Sequence, residues 1–146
     1  MNKEFLNFLK QYLAHNDDAL LWVLSYITLC HAIDDIHDNP VKDNEYTQKV
    51  FDYAHIVYSS VFYIQHIHIL YPLIRMAGNS YADSLAWEKS SEKWKRNYAD
   101  VLRQNANEVV LAVVEIVNNV DIRRKASLEL REISYYSHHN KLGEPC

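Results

Sequence analysis

Apolar residues recur along most of this chain at intervals of three and four, the spacing of helices that bury one face. A first helix is predicted over residues 3–14, where four side chains form such a face: Phe5, Phe8, Leu9 and Tyr12. A second is predicted from about residue 18 to residue 37 and is apolar on nearly every side. Asn16 and Asp17 supply its N-cap signal, and the Asn39-Pro40 pair ends it.

Three more helices are predicted further along the chain. One runs from Asp43 or Asn44 to Tyr71, where Pro72 kinks or ends it. The next starts at Asn79 or Ser80 and reaches about residue 118, either continuous or broken near residues 90–93, and the last starts at Asp121. Two glycines and three prolines are too few for the turns of a many-stranded sheet. The sequence therefore predicts an all-α, single-domain helical bundle of about five helices over residues 1–146, with 141–146 as a mobile tail.

Composition narrows the classes of partner. The formal charge of −4 comes from 15 basic and 19 acidic residues, and no dense basic block follows the chain, so a nucleic-acid partner is not expected. The two cysteines form neither a disulfide framework nor a zinc motif. No leader peptide and no apolar run long enough to span a bilayer is recognised. We expect a cytoplasmic protein without a membrane partner. The sequence leaves open whether it forms a homo-oligomer.

An acidic cluster closes the second predicted helix. A carboxylate near a helix C-terminus is repelled by the negative end of the macrodipole, which destabilises the helix by about 0.3 to 1 kcal/mol. Three such carboxylates together cost about 1 to 3 kcal/mol. A bound Mg²⁺ or Mn²⁺ would offset this cost with oxygen ligands. Alternatively, the helix ends at Ile33 and leaves a solvated turn, or Asp38 caps the segment after Pro40. On a helical projection one face holds His31, Asp34, Asp35 and Asp38.

The run Asp34-Asp35-Ile36-His37-Asp38 resembles the DDxxD motif of class I isoprenoid diphosphate and terpene synthases. Those enzymes are all-helical, and the resemblance implies aspartates that hold Mg²⁺ against a substrate diphosphate. It covers five of 146 residues, and neither a second aspartate-rich motif nor the NDxxSxxxE pattern accompanies it. The resemblance therefore implies a metal site for a small phosphorylated molecule rather than a complete synthase. His37-Asp38 is also an alternative HD pair of a phosphohydrolase.

Further metal ligands are expected on the fourth predicted helix, where polar residues form one stripe. Within it, Glu108 and Glu115 are the candidate ligands, so the predicted metal set is Asp34, Asp35, Asp38, Glu108 and Glu115. His31, Asn105 and Arg103 are candidates for the second shell or for substrate contacts. A solvated helix face is the alternative interpretation. The stripe consists of Asn97, Gln104, Glu108 and Glu115.

Two functions remain in competition. In the first, the metal polarises a phosphoryl oxygen and activates water, giving a Mg²⁺- or Mn²⁺-dependent phosphate- or diphosphate-ester hydrolase. In the second, the chain is a small acidic protein-binding module without catalysis, such as an inhibitor, an immunity-type protein or a phage accessory protein. Its eleven tyrosines suit an interface, and its charge suits a basic partner. The seam Trp87, Trp94, Tyr98 and Val101 is predicted to be core.

Overall fold

The structure, a computed structural model, describes residues 1–39 and 43–141, without the side chains at 43 and 137–141. Every regular element in these ranges is an α-helix, which confirms the all-α prediction. The five predicted helices become seven longer ones and a five-residue turn, α4. They are α1 (Lys3–Leu13), α2 (Asp17–Asp38), α3 (Asp43–Ser59), α4 (Val61–Gln65), α5 (Ile67–Trp87), α6 (Lys93–Arg103), α7 (Ala106–Val117) and α8 (Val120–Lys141).

The first two helices begin where side chains can replace missing backbone partners. The Asn2 side chain accepts the Phe5 amide hydrogen at 2.9 Å, and Asn16 accepts that of Ala19 at 3.0 Å. Each contact satisfies one of the free N–H groups of a first helical turn. The predicted limits of α1 and α2 are therefore correct to within one residue.

The prediction of one continuous third helix is wrong. It is divided at Ser60, whose hydroxyl accepts the Tyr63 amide hydrogen at 3.1 Å and caps α4, and again at His66. Serine competes with helical hydrogen bonding in this way because its side chain reaches the nearby backbone. Pro72 lies inside α5 instead of ending a helix, at the cost of one backbone hydrogen bond.

The predicted fourth helix is also divided. The break between α5 and α6 matches the alternative of a break near residues 90–93, and Arg96 donates to the Ser90 carbonyl across it at 2.7 Å. A second break separates α6 from α7 at Gln104 and Asn105. There the backbone bonds span three residues, from Gln104 to Val101 and from Asn105 to Leu102. Bonds of this length are those of the tighter 3₁₀ winding that commonly ends an α-helix.

The helices group into two compact units, and the single domain stays a prediction. The first, here the central unit, comprises Asn16–Ile67 and contains α2, α3 and α4. Trp22 is buried in it at 2% exposure and donates its indole hydrogen to the Val57 carbonyl at 2.9 Å. Its ring stacks on Tyr26 and Tyr63, with centroids 5.6 and 6.1 Å apart. Within the described ranges, α2 alone is long and apolar enough to span a bilayer, where the sequence prediction recognised no such run; buried core helices of soluble proteins pass the same test.

The second, here the terminal unit, joins Met1–His15 to the chain from His68 onward. α1 packs against α7 and α8 in it, and α7 packs along α8. The Tyr12 hydroxyl donates to the Glu129 carboxylate at 2.6 Å, and Asn118 donates to the Tyr12 carbonyl at 3.0 Å. Of the predicted tail, Lys141 is the last residue of α8, and residues 142–146 lie outside the described part. The apolar side chains at these contacts are fully buried: Phe8, Leu9, Leu13, Val110 and Val113.

A polar seam attaches α5 to the segment that links α6 and α7. Asn105 donates to the buried Ser80 hydroxyl at 2.8 Å. Arg103 donates to the buried Ser84 at 3.3 Å and forms an ion pair with Glu88. Because buried hydroxyls are costly without partners, this seam fixes where α6 ends relative to α5.

Candidate functional site

A groove of about 910 Å³ lies among α6, α7 and α8 in the terminal unit. α6 and the link to α7 supply four polar residues and the exposed apolar Val101, and α7 supplies Glu108. The far wall is a stretch of α8 with Arg131, Glu132, Tyr135 and Tyr136. We call this the acidic groove. Its remaining polar residues are Asn97, Asp100, Gln104, Asn105 and Glu108.

The charge of the acidic groove is negative. Three carboxylates line it, at positions 100, 108 and 132, and one guanidinium, that of Arg131. Arg131 donates to the Glu108 carboxylate at 2.8 Å, so its charge is matched by one of the three. Carboxylates gathered in a concave surface reinforce one another's potential and attract cationic groups.

The walls of the acidic groove are fixed to each other by an amide. Asn107 on α7 donates to the Ser134 hydroxyl of α8 at 2.9 Å and to the Gln104 side chain at 3.0 Å. All three side chains are half-buried. These bonds hold the α6–α7 link and α8 at a set separation.

The outer side of α6 carries an exposed apolar surface beside the groove. Trp94, Tyr98 and Val101 are 56%, 52% and 60% exposed, so the prediction that they belong to the core is wrong. The reason is the break at residues 88–92, which makes α6 a separate helix whose buried side chain is Ala99. We call these three residues the aromatic face. Val101 belongs to both surfaces, so they are continuous.

Three of the four residues in the polar stripe predicted on the fourth helix lie together in the structure. Asn97, Gln104 and Glu108 line the acidic groove. Glu115 does not, because it points from α7 into a second cavity of about 450 Å³ between α5, α7 and α8, which Glu108 also lines. There Arg123 donates to the Glu115 carboxylate at 2.9 Å. Each of the two predicted glutamate ligands therefore already faces an arginine.

The aspartate cluster lies at the C-terminal end of α2, in the central unit. α2 continues through Asp38, and the Asn39 amide donates to the Asp35 carbonyl at 2.9 Å, so the interpretation that the helix ends at Ile33 is wrong. Asp34 and Asp35 are half-buried, while Asp38 is exposed, like the second-shell candidate His31. In the described residues no three His, Cys, Asp or Glu side chains come together as metal ligands. The Mg²⁺ or Mn²⁺ site stays a prediction.

The other candidates for substrate contacts belong to the fold. Arg103 pairs with Glu88, and Asn105 lines the groove while its amide donates to Ser80. Cys30 is unsuited to nucleophilic chemistry because burial raises the pKa of its thiol to about 11, with a Tyr26 hydrogen bond opposing the shift and Asp34 adding to it.

The α8 wall of the groove was not among the predicted site residues. Its signal in the sequence was the pairing of Arg131 with Tyr135 and of Glu132 with Tyr136 at intervals of four. Residues four apart share a helix face, so a mixed charged and aromatic face was readable there. What the sequence did not show is that α7 places this face opposite α6.

Comparison with protein-family models, with curated proteins and with solved structures finds no match to this chain. The acidic groove and the continuous aromatic face are the surfaces with a defined chemistry: negative charge on one side and exposed rings on the other.

Proposed function

We propose that this protein is a protein-binding module that holds a basic, amphipathic segment of a partner protein in the acidic groove. The observation that carries the proposal is the continuity of a carboxylate-lined groove with an exposed aromatic face through Val101. A partner helix with lysine or arginine on one side and apolar residues on the other would match both surfaces at once.

Charge supports this class of partner. The groove has an excess of carboxylates, and the whole chain has a formal charge of −4. Lysine and arginine side chains entering the groove would pass the exposed Asp100 and Glu132. Such complementarity mainly raises the association rate and selects the partner's sign of charge.

Exposed rings supply the contact area. Tyr135 and Tyr136 on the groove wall are 50% and 45% exposed, and Trp94 and Tyr98 lie on the adjoining face. Tryptophan and tyrosine dominate the energetic centres of protein interfaces because they bury a large surface with few rotatable bonds. A partner that covers them gains apolar burial beyond what the charges contribute.

The proposal is tested by calorimetric titration with two synthetic helical peptides. One has leucine on one face and lysine on the other, and the second has glutamate in place of every lysine. We expect the lysine peptide to bind with an affinity that falls as salt rises, and the glutamate peptide not to bind. Binding of both peptides with equal affinity would contradict an acidic recognition surface.

Variants locate the binding. Asp100→Asn/Glu132→Gln removes two groove charges and should weaken the lysine peptide about fivefold, at about 0.5 kcal/mol for each exposed pair lost. The matched control Asp83→Asn/Asp121→Asn removes the same charge from exposed positions of the terminal unit that do not line the groove. Equal weakening in both variants would show that net charge, not the groove, attracts the peptide.

A further inference from the structure

Three aromatic rings meet where α5 ends and α6 begins. Trp87 is the last residue of α5, and Trp94 and Tyr98 lie one turn apart on α6. Trp87 meets Trp94 with ring centroids 5.4 Å apart at 73°, and Tyr98 with centroids 5.9 Å apart at 63°. We call them the three-ring cluster. Rings set edge to face present π-surfaces in more than one direction, unlike a parallel stack.

A cation already lies against this cluster. The Lys95 ammonium nitrogen is 5.5 Å from the Trp94 ring centroid and 6.0 Å from that of Trp87. Both distances fall within the range in which a ring quadrupole attracts a positive charge. One ammonium group is therefore shared between two indoles.

A carboxylate completes the surroundings of that ammonium group. Glu92 pairs with Lys95, and the Trp94 indole donates to the other Glu92 oxygen at 3.3 Å. The loop is held by its own bonds, since the Glu92 amide donates to the Ser90 hydroxyl at 3.2 Å. Rings, carboxylate and cation thus form one local assembly at the junction of two helices.

We infer that the three-ring cluster is a binding site for an organic ammonium group, with a quaternary ammonium ion as its ligand class, and that Lys95 occupies it in the free chain. A quaternary ammonium ion cannot donate hydrogen bonds and is weakly hydrated, so it loses less water against the rings than a primary ammonium does. Glu92 supplies a compensating charge beside it. The inference does not depend on the proposed function, because small cations alone test it.

The test is a titration of the intact chain with choline, followed through the indole N–H signals in the NMR spectrum. We expect the Trp87 and Trp94 signals to shift and saturate. The Trp22 signal should stay in place, because that indole is buried and bonded to Val57. The uncharged isostere 3,3-dimethyl-1-butanol should produce no saturable shift. No saturation with choline, or equal saturation with the isostere, would overturn the inference.

Substitutions separate the site from general effects. Trp94→Leu should abolish saturable choline binding. Tyr71→Leu is the control and should leave it unchanged, because Tyr71 contacts the Arg75 guanidinium at 5.9 Å with one ring and lies outside the cluster. Lys95→Ala should tighten choline binding about threefold by removing a competing cation–π contact. Lys93→Ala removes the same charge from an exposed position and should not do so. Equal affinity in the two lysine variants would refute occupation by Lys95.

The same titration distinguishes two sources of the ligand. Choline represents a small free molecule, and N-acetyl-trimethyllysine amide represents a methylated lysine of a partner chain. Tighter binding of the lysine derivative identifies a protein side chain as the ligand, and tighter binding of choline identifies a small molecule. Absence of saturable choline binding overturns the inference, whatever the lysine derivative does.

Discussion

The contact between Tyr12 and Glu129 offers the sharpest test of how the terminal unit is held together. Tyr12 is 5% exposed, and its hydroxyl donates to the carboxylate at 2.6 Å across 117 positions of sequence. A hydrogen bond to a charged group contributes about 1.5 to 3 kcal/mol. Glu129 is half-buried and regains some water when the hydroxyl is removed, so Tyr12→Phe should cost about 1.5 kcal/mol, the low end of that range.

The pH dependence of the same contact supplies a second measurement. Burial, and then the hydrogen bond and charge of Glu129, raise the pKa of Tyr12 from 10.0 to about 12. Between these values the unfolded chain releases the Tyr12 proton while the folded chain keeps it, so rising pH favours unfolding. The stabilisation is complete below pH 10 and is lost as pH approaches 12.

Urea unfolding followed by circular dichroism measures both effects on the parent and on Tyr12→Phe, with the exposed Tyr71→Phe as control. The gap between parent and Tyr12→Phe should narrow by on the order of 1 kcal/mol from pH 9 to pH 11, allowing for screening at the half-buried carboxylate. A Tyr12→Phe variant within about 0.5 kcal/mol of the parent at pH 7 would refute the energetic reasoning. A gap independent of pH would refute the assignment of the pKa.

Three further outcomes are expected. Trp22→Phe should destabilise the central unit by about 1 to 3 kcal/mol, because it leaves the buried Val57 carbonyl without its indole donor; chemical denaturation measures it. Leu13→Ala should cost about 2 to 5 kcal/mol in the same assay, since Leu13 is fully buried. The metal hypothesis predicts that millimolar Mn²⁺ or Mg²⁺ raises the thermal midpoint of the parent and not that of Asp34→Asn/Asp35→Asn. Equal midpoints with and without metal would count against it.

Local signals predicted local structure well. Asparagines before apolar runs placed the starts of α1 and α2, because their side chains satisfy specific amide hydrogens. Pro72 lies inside α5 at the cost of one backbone hydrogen bond, so the alternative that it ends a helix is wrong. At Ser60 the helix was predicted to continue, but it breaks there. The Ser60 hydroxyl competes with helical backbone hydrogen bonding and caps α4, and the spacing of apolar residues does not show this.

Only one wall of the acidic groove could be predicted from the sequence, because the two walls come from segments that are distant along the chain. Asn97, Gln104 and Glu108 appeared as a stripe, and they do line one groove. The opposite wall comes from α8, and nothing local in the sequence says that α8 packs along α7. The aromatic face was assigned to the core for a related reason: helical spacing reports which residues share a side, not whether that side is covered.

The connectivity of the two units has a consequence for biosynthesis. The terminal unit is interrupted after His15 and resumes at His68, so α1 leaves the ribosome before the whole central unit, while its partners α7 and α8 follow it. Every helix pair of the central unit is available once residue 67 has been made. The apolar side of α1, with Phe8, Leu9 and Leu13, must wait until α7 and α8 have been made. Closing so long a separation is slow, which makes α1 the segment of the nascent chain most in need of protection from aggregation.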